Sequence, residues 1–199
     1  METPPDQPRI GWATSMAENL LRDEEIYAPA VPIDELLEQY ATIVTFNDPC
    51  LSTNCYEHDS LWHVEINEMQ TLGERHYAEA LMLGHLKLHH LDYDLDALTD
   101  SQLALLNCEA ICFADCITMP MPWVLAACPH GRVNYASADT LAGLFSVSRS
   151  AALHRLHDLG LYAPEDFHDW RHPYRLENSL IASRCPATGA TMNNDPFHH

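Results

Sequence analysis

Two short runs of alternating β-branched residues stand between stretches of helical periodicity, and this ordering limits the fold more than any other feature of the chain. ATIVTF at 41–46 and LWHVEIN at 61–67 alternate with period two and read as strands. Asn47, Asp48 and Pro49 lie between them as turn residues, so a small antiparallel sheet of two or three strands is expected. On the N-terminal side, WATSMAENLLRDEEI at 12–26 spaces Trp12, Met16, Leu20 and Leu21 along a helix face, which Pro29 and Pro32 then end. A second helix opens at Pro32 and Asp34 and carries Leu36, Leu37 and Tyr40. Beyond the strands the helical period returns from about Gly73 to His90, with Tyr77, Leu81, Gly84 and Leu88 on a broad apolar face, and again over roughly 100–118. The intervening acidic loop, DYDLDALTD, resembles a calcium-hand start but has Ala97 and Leu103 where that pattern requires Gly and Glu. Helices gathered around one small sheet define an α+β fold.

After MPMPW, the segment ADTLAGLFSVSRSAALHRLHDLGLY predicts two short helices joined at Ser146 to Ser148, with Gly160 as a stop. The spacing is that of a helix-turn-helix. Arg149 and Arg155 could face bases there, but 29 acidic against 10 basic residues give a net charge of −19, which phosphate repels. Packing through Leu141, Leu144, Phe145, Val147, Leu153, Leu156 and Leu159 is the expectation instead. The division expected is a main domain over 1–125, a helical extension over 126–182 and a flexible polar tail over 183–199. No run reaches the roughly 18 apolar residues of a membrane span and METPPDQPRI lacks the character of a signal peptide, so a cytoplasmic location is expected. Seven cysteines, an odd number in such a chain, are expected as reduced thiols. Cys108, Cys112 and Cys116 form one stripe on the second long helix, and one face spanning two turns cannot wrap a metal.

The residues Pro32, Ile66-Asn67, Leu83-Gly84-His85-Leu86 with His89, Glu109-Ala110 with Phe113-Ala114, Met119-Pro120, and Phe145 through Val147-Ser148 and Arg155-Leu156 to Leu159-Gly160 fall in a familiar order. Over about residues 12–162 the chain resembles the ImmA/IrrE-type metallopeptidase-like family. The resemblance implies a zincin-like scaffold whose central helix carries His-Glu-x-x-His, with a third zinc ligand from a Glu on the next long helix. Two histidines one helical turn apart share a metal, and the Glu between them activates water. With Gly84-His85 fixing the register, Leu81 stands at the first His position and Met82 at the general-base position. Leu81, Met82, His85 and Glu109 are thus a vestigial site with no catalytic residue. Glu79 lies six residues before His85, about 240° around the helix, and cannot replace Met82.

If a metal is held at all, His85, Glu109 and His89 are the candidates, His85 and His89 having the four-residue spacing of a zinc pair, with Cys112 as another possible ligand. His168 and His172 repeat that spacing between Pro164 and Pro173. The resemblance implies a non-catalytic regulatory protein of phage or mobile-element origin that needs no cofactor. Its expected partner is a basic repressor or nucleic-acid-processing protein, with no direct nucleic-acid or membrane contact. The alternatives are an active zinc endopeptidase with rearranged ligands, and an acidic inhibitor mimicking a nucleic-acid backbone.

Overall fold

The computed structural model describes residues 4–48, 53–129 and 135–162. The histidine pair His168 and His172 and the tail expected at 183–199 lie outside them. Helix α1, Ile10–Asp23, turns Ala13, Ala17, Leu20 and Leu21 inward, and Glu25 follows in the left-handed region at φ 55°. It therefore ends before the prolines are reached. Helix α2, Ile33–Glu38, starts directly after Pro32 and buries Ile33, Leu36 and Leu37.

The two predicted strands form with their predicted bounds, as β1, Ala41–Phe46, and β3, Leu61–Asn67. A further strand, β2, Asn54–His58, lies between them in sequence. The sheet order is β1-β3-β2, with β1 parallel to β3 and β2 antiparallel to β3. The sheet is therefore mixed, which corrects the antiparallel expectation. The reason is local: Asp59 and Ser60 both take positive φ, 51° and 62°, closing a two-residue hairpin of the kind whose twist suits flanking strands. With β2 antiparallel on one side of β3, β1 pairs on the other; the end of β1, Phe46 opposite Asn67, and the start of β2, Asn54 opposite Glu65, lie at the same end of the sheet, so β1 runs opposite to β2 and parallel to β3. NCYEH offers little strand signal of its own, since Cys55 is its one buried residue.

A capping box opens each long helix: Thr71 with Glu74 for α3, Leu72–Lys87, and Thr99 with Gln102 for α4, Asp100–Thr118. Gly84 is where α3 crosses α4. A Cβ there would lie 3.1 Å from both the Ala110 carbonyl oxygen and Phe113 Cδ1, so the missing side chain lets the helices approach closely. Between them the acidic segment forms two 3-10 turns, His90–Asp92 and Leu95–Ala97, over a small cluster of Leu98, Leu103 and Leu106. The main core joins α1 to α4 with the inner face of the sheet, including Val64 and Ile66.

Helices α5, Met121–Ala127, α6, Tyr135–Phe145, and α7, Arg149–Asp158, share a second cluster built on Met119, Val124, Leu141, Phe145, Val147 and Leu156. Tyr77 and Trp123 touch both cores. Arg155 is buried with its Nε donating to the Met119 carbonyl at 3.0 Å, and Arg149 pairs with Asp139 at 3.1 Å. Arg155 is therefore committed to the interior and is no base reader. No single helix among the described residues is long and apolar enough to cross a membrane.

Candidate functional site: a carboxylate clamped by arginine

The site lies where α3 and α4 cross. Leu81 and Met82 are 8% and 3% exposed, so the positions expected for a ligand and a base are filled by packed apolar side chains. His85, His90 and Glu109 are completely buried and joined in a line. His90 Nε2 lies 3.1 Å from Glu109 Oε2, and His90 Nδ1 lies 3.0 Å from His85 Nδ1.

The protons in this line follow from its chemistry. Burial pushes His85 well below the usual range, helped by His90; burial also lowers His90, although its bond to Glu109 opposes this. Both rings are neutral. An ionised carboxylate only accepts, so His90 must donate from Nε2 and accept at Nδ1. His85 then donates from Nδ1. Its Nε2 is left as a buried lone pair with no hydrogen-bond partner.

The other side of Glu109 is occupied by Arg9, one hundred residues earlier, immediately before α1. The Arg9 backbone N–H donates to Oε1 at 2.7 Å, Nε to Oε1 at 3.0 Å and Nη2 to Oε2 at 2.8 Å. The guanidinium also lies 4.0 Å over the Trp12 ring. Burial alone would push the Glu109 carboxyl up, but the bonds from His90 and Arg9 bring it down to about 2.

The expected ligand set is only partly brought together. His85 and Glu109 meet through His90, whereas the side chain of His89 is 71% exposed and pairs with Asp92 at 3.2 Å. The four-residue spacing assumed a helix through His89, but α3 stops at Lys87. His89 itself has φ 56°, which swings the chain so that the next residue, His90, turns inward. Cys112 instead contacts Thr14 Oγ1 at 3.4 Å. Glu79 is half-buried and raised to about 7 by burial and by Asp34, with Arg75 opposing.

These residues do not fit the zinc that the scaffold implies. Both oxygens of Glu109 already accept from Arg9 and both nitrogens of His90 are engaged, so His85 Nε2 is the remaining free lone pair of the line. Among the described residues no group of three or more His, Cys, Asp or Glu is arranged to hold a metal ion. Sequence reasoning missed Arg9 and His90. The His89-His90 doublet hinted at the second, but nothing in sequence relates Arg9 to Glu109.

The same elements recur in known proteins. The profile of the peptidase family described as the IrrE N-terminal-like domain matches residues 46–157. A solved Mycobacterium tuberculosis transcriptional regulator is similar in fold, with a TM-score of 0.57 at 16% identity, covering 73% of this chain and 46% of that one. The chain thus spans less than half the length of that protein. Comparison with curated proteins gives no match.

Proposed function

Since the chain belongs to the family of IrrE N-terminal-like domains, we propose that it is a non-hydrolytic regulatory member, acting by binding a partner protein rather than by cutting it. The observation that carries this reading is the Arg9–Glu109 clamp beside the apolar pair Leu81 and Met82. A guanidinium sits on the carboxylate that would ligate a metal, and a thioether stands where a base would take a proton from water. The M. tuberculosis protein of similar fold is a transcriptional regulator, which agrees with a regulatory role.

The partner is a basic repressor or nucleic-acid-processing protein in a phage or mobile-element setting, met in the cytoplasm. A net charge of −19 attracts such a protein over long range and raises the rate of association more than the final affinity. Ile66 and Asn67 lie on the central strand β3, paired with Thr45 and Phe46 of β1, and do not form a free sheet edge. The outer edge of β2, where Tyr56, Glu57 and His58 are exposed, is the better place for an extended polypeptide.

Capture of proteins from the native host, followed by association kinetics at low and high ionic strength, tests the proposal. The expected result is an intact basic partner in a stoichiometric complex whose association slows with salt. Chelator-sensitive cleavage of the captured protein supports a zinc endopeptidase instead. An acidic partner whose capture is indifferent to salt overturns the reading altogether.

A further inference from the structure

Arg155 poses a problem that the site above does not solve. It is 9% exposed, and a buried guanidinium needs a counter-charge. Its partners among the described residues are the Met119 carbonyl, 3.0 Å from Nε, and Cys116 Sγ, 3.7 Å from Nη2. A carbonyl supplies no charge. The group in contact that can become an anion is Cys116.

The surroundings of Cys116 favour that ionised form. Thr14 Oγ1 on α1 is 3.7 Å from Cys116 Sγ and 3.4 Å from Cys112 Sγ. Hydrogen bonding from Cys112 lowers the Cys116 thiol, burial and the charge of Asp115 raise it, and Arg155 and Thr14 lower it, leaving it below the ordinary thiol range. Cys112 moves the opposite way, through its bond to Cys116 and its own burial. Asp115 is itself held by a hydrogen bond from the Tyr77 hydroxyl at 3.0 Å.

We propose that Cys116 is a nucleophilic thiolate paired with Arg155, and that it is a modification site for small hydroperoxides which couples oxidation to the docking of α7 on α4. The thiolate attacks the terminal peroxide oxygen, the S–O bond forms as the O–O bond breaks, and the departing oxyanion takes a proton from water. Sulfur is oxidised from thiolate to sulfenic acid while the peroxide is reduced to water or an alcohol. Cys116 is itself 7% exposed, and its neighbours Cys112 and Thr14 are half-buried, so the approach proposed for a molecule of this size is past those two side chains. A disulfide with Cys112 is not expected, because residues one helical turn apart hold their Cβ atoms about 5–6 Å apart, beyond the roughly 3.5–4.5 Å a disulfide requires. The neutral sulfenic acid no longer balances Arg155, and α7 loses its charged tie to α4.

The experiment uses the full chain and hydrogen peroxide, with dimedone trapping, peptide mapping and ultraviolet titration of thiolate absorbance. The expected adduct is on Cys116, and Cys116→Ser removes a thiolate step that lies below the ordinary thiol range. Arg155→Met should shift that step upward and slow trapping at neutral pH about tenfold or more, whereas Arg155→Lys retains most of the reactivity. Amide exchange in α7 should quicken after oxidation. Should Arg155→Met fail to fold, mapping and titration of the unsubstituted chain decide the matter. Adducts confined to the other cysteines, an ordinary thiol titration at Cys116, or unchanged exchange in α7 would overturn the proposal, whatever the outcome of partner capture.

Discussion

Glu109 is a buried carboxylate whose charge is met by a guanidinium, a backbone N–H and a neutral imidazole. Under the proposed reading, these groups stand where a hydrolytic member would place a metal. A fully buried Glu stripped of its cation leaves an uncompensated charge, so Arg9→Met should lower stability by about 2–3 kcal/mol. The figure stays at or below the low end for buried pairs because the Arg9 side chain is itself 36% exposed and partly screened. Adding Glu109→Leu should restore part of the loss, since the pair is then removed together. Chemical denaturation of the three proteins checks this. An Arg9→Met chain as stable as the original would show the clamp to be incidental.

At the scale of elements, two glycines of similar appearance in sequence have opposite roles. Gly73, in the first turn of α3, faces the link between α6 and α7: a Cβ built on it would lie 2.5 Å from Ser148 N and Val147 C. Such overlap is with backbone, which cannot rotate away. Helix propensity favours Ala by about 1 kcal/mol, yet overpacking costs about 1–3 kcal/mol, so Gly73→Ala should be net destabilising and loosen α7 against α3. Gly143 in α6 has nothing within 4 Å of its hypothetical Cβ. Gly143→Ala should therefore gain about 0.5–1 kcal/mol. Thermal melts of both variants compare them directly, and a stabilised Gly73→Ala would contradict the close approach. The helix-turn-helix spacing, read from sequence as a packing unit, serves here to bring Val147 and Leu156 into the second core.

For the whole molecule, buried titratable groups set how the fold responds to acid. Burial holds His76, His85 and His90 below the ordinary 6.5, so the unfolded chain binds protons there that the folded chain refuses. Stability must fall as pH drops below about 6.5. Glu79 opposes this: raised to about 7 from 4.5, it contributes more stability as pH falls through that interval. Below 4.5 its contribution is complete, whereas that of Glu109 is lost as pH falls from 4.5 toward about 2. The expected profile is a shallow decline below pH 6.5 that steepens below pH 4.5. Urea midpoints across this range check it, and Glu109→Gln should lose the steeper limb. A midpoint that holds steady into acid would refute the assignment of neutral histidines around an ionised Glu109.

The sequence by itself determined the local elements and the apolar character of positions 81 and 82. Alternation marked β1 and β3, apolar spacing marked α3 and α4, and the Gly84-His85 register placed Leu81 and Met82 where a ligand and base are expected. These are signals within one element, carried by propensity and periodicity. Tertiary structure alone decided the rest. The parallel pairing of β1 with β3 depended on a hairpin whose first strand, β2, is mostly polar, and the exchange of His89 for His90 depended on a left-handed residue at the end of α3. Arg9 meets Glu109 because packing of α1 on α4 brings residues a hundred positions apart within hydrogen-bond distance, and no local pattern encodes a contact of that length.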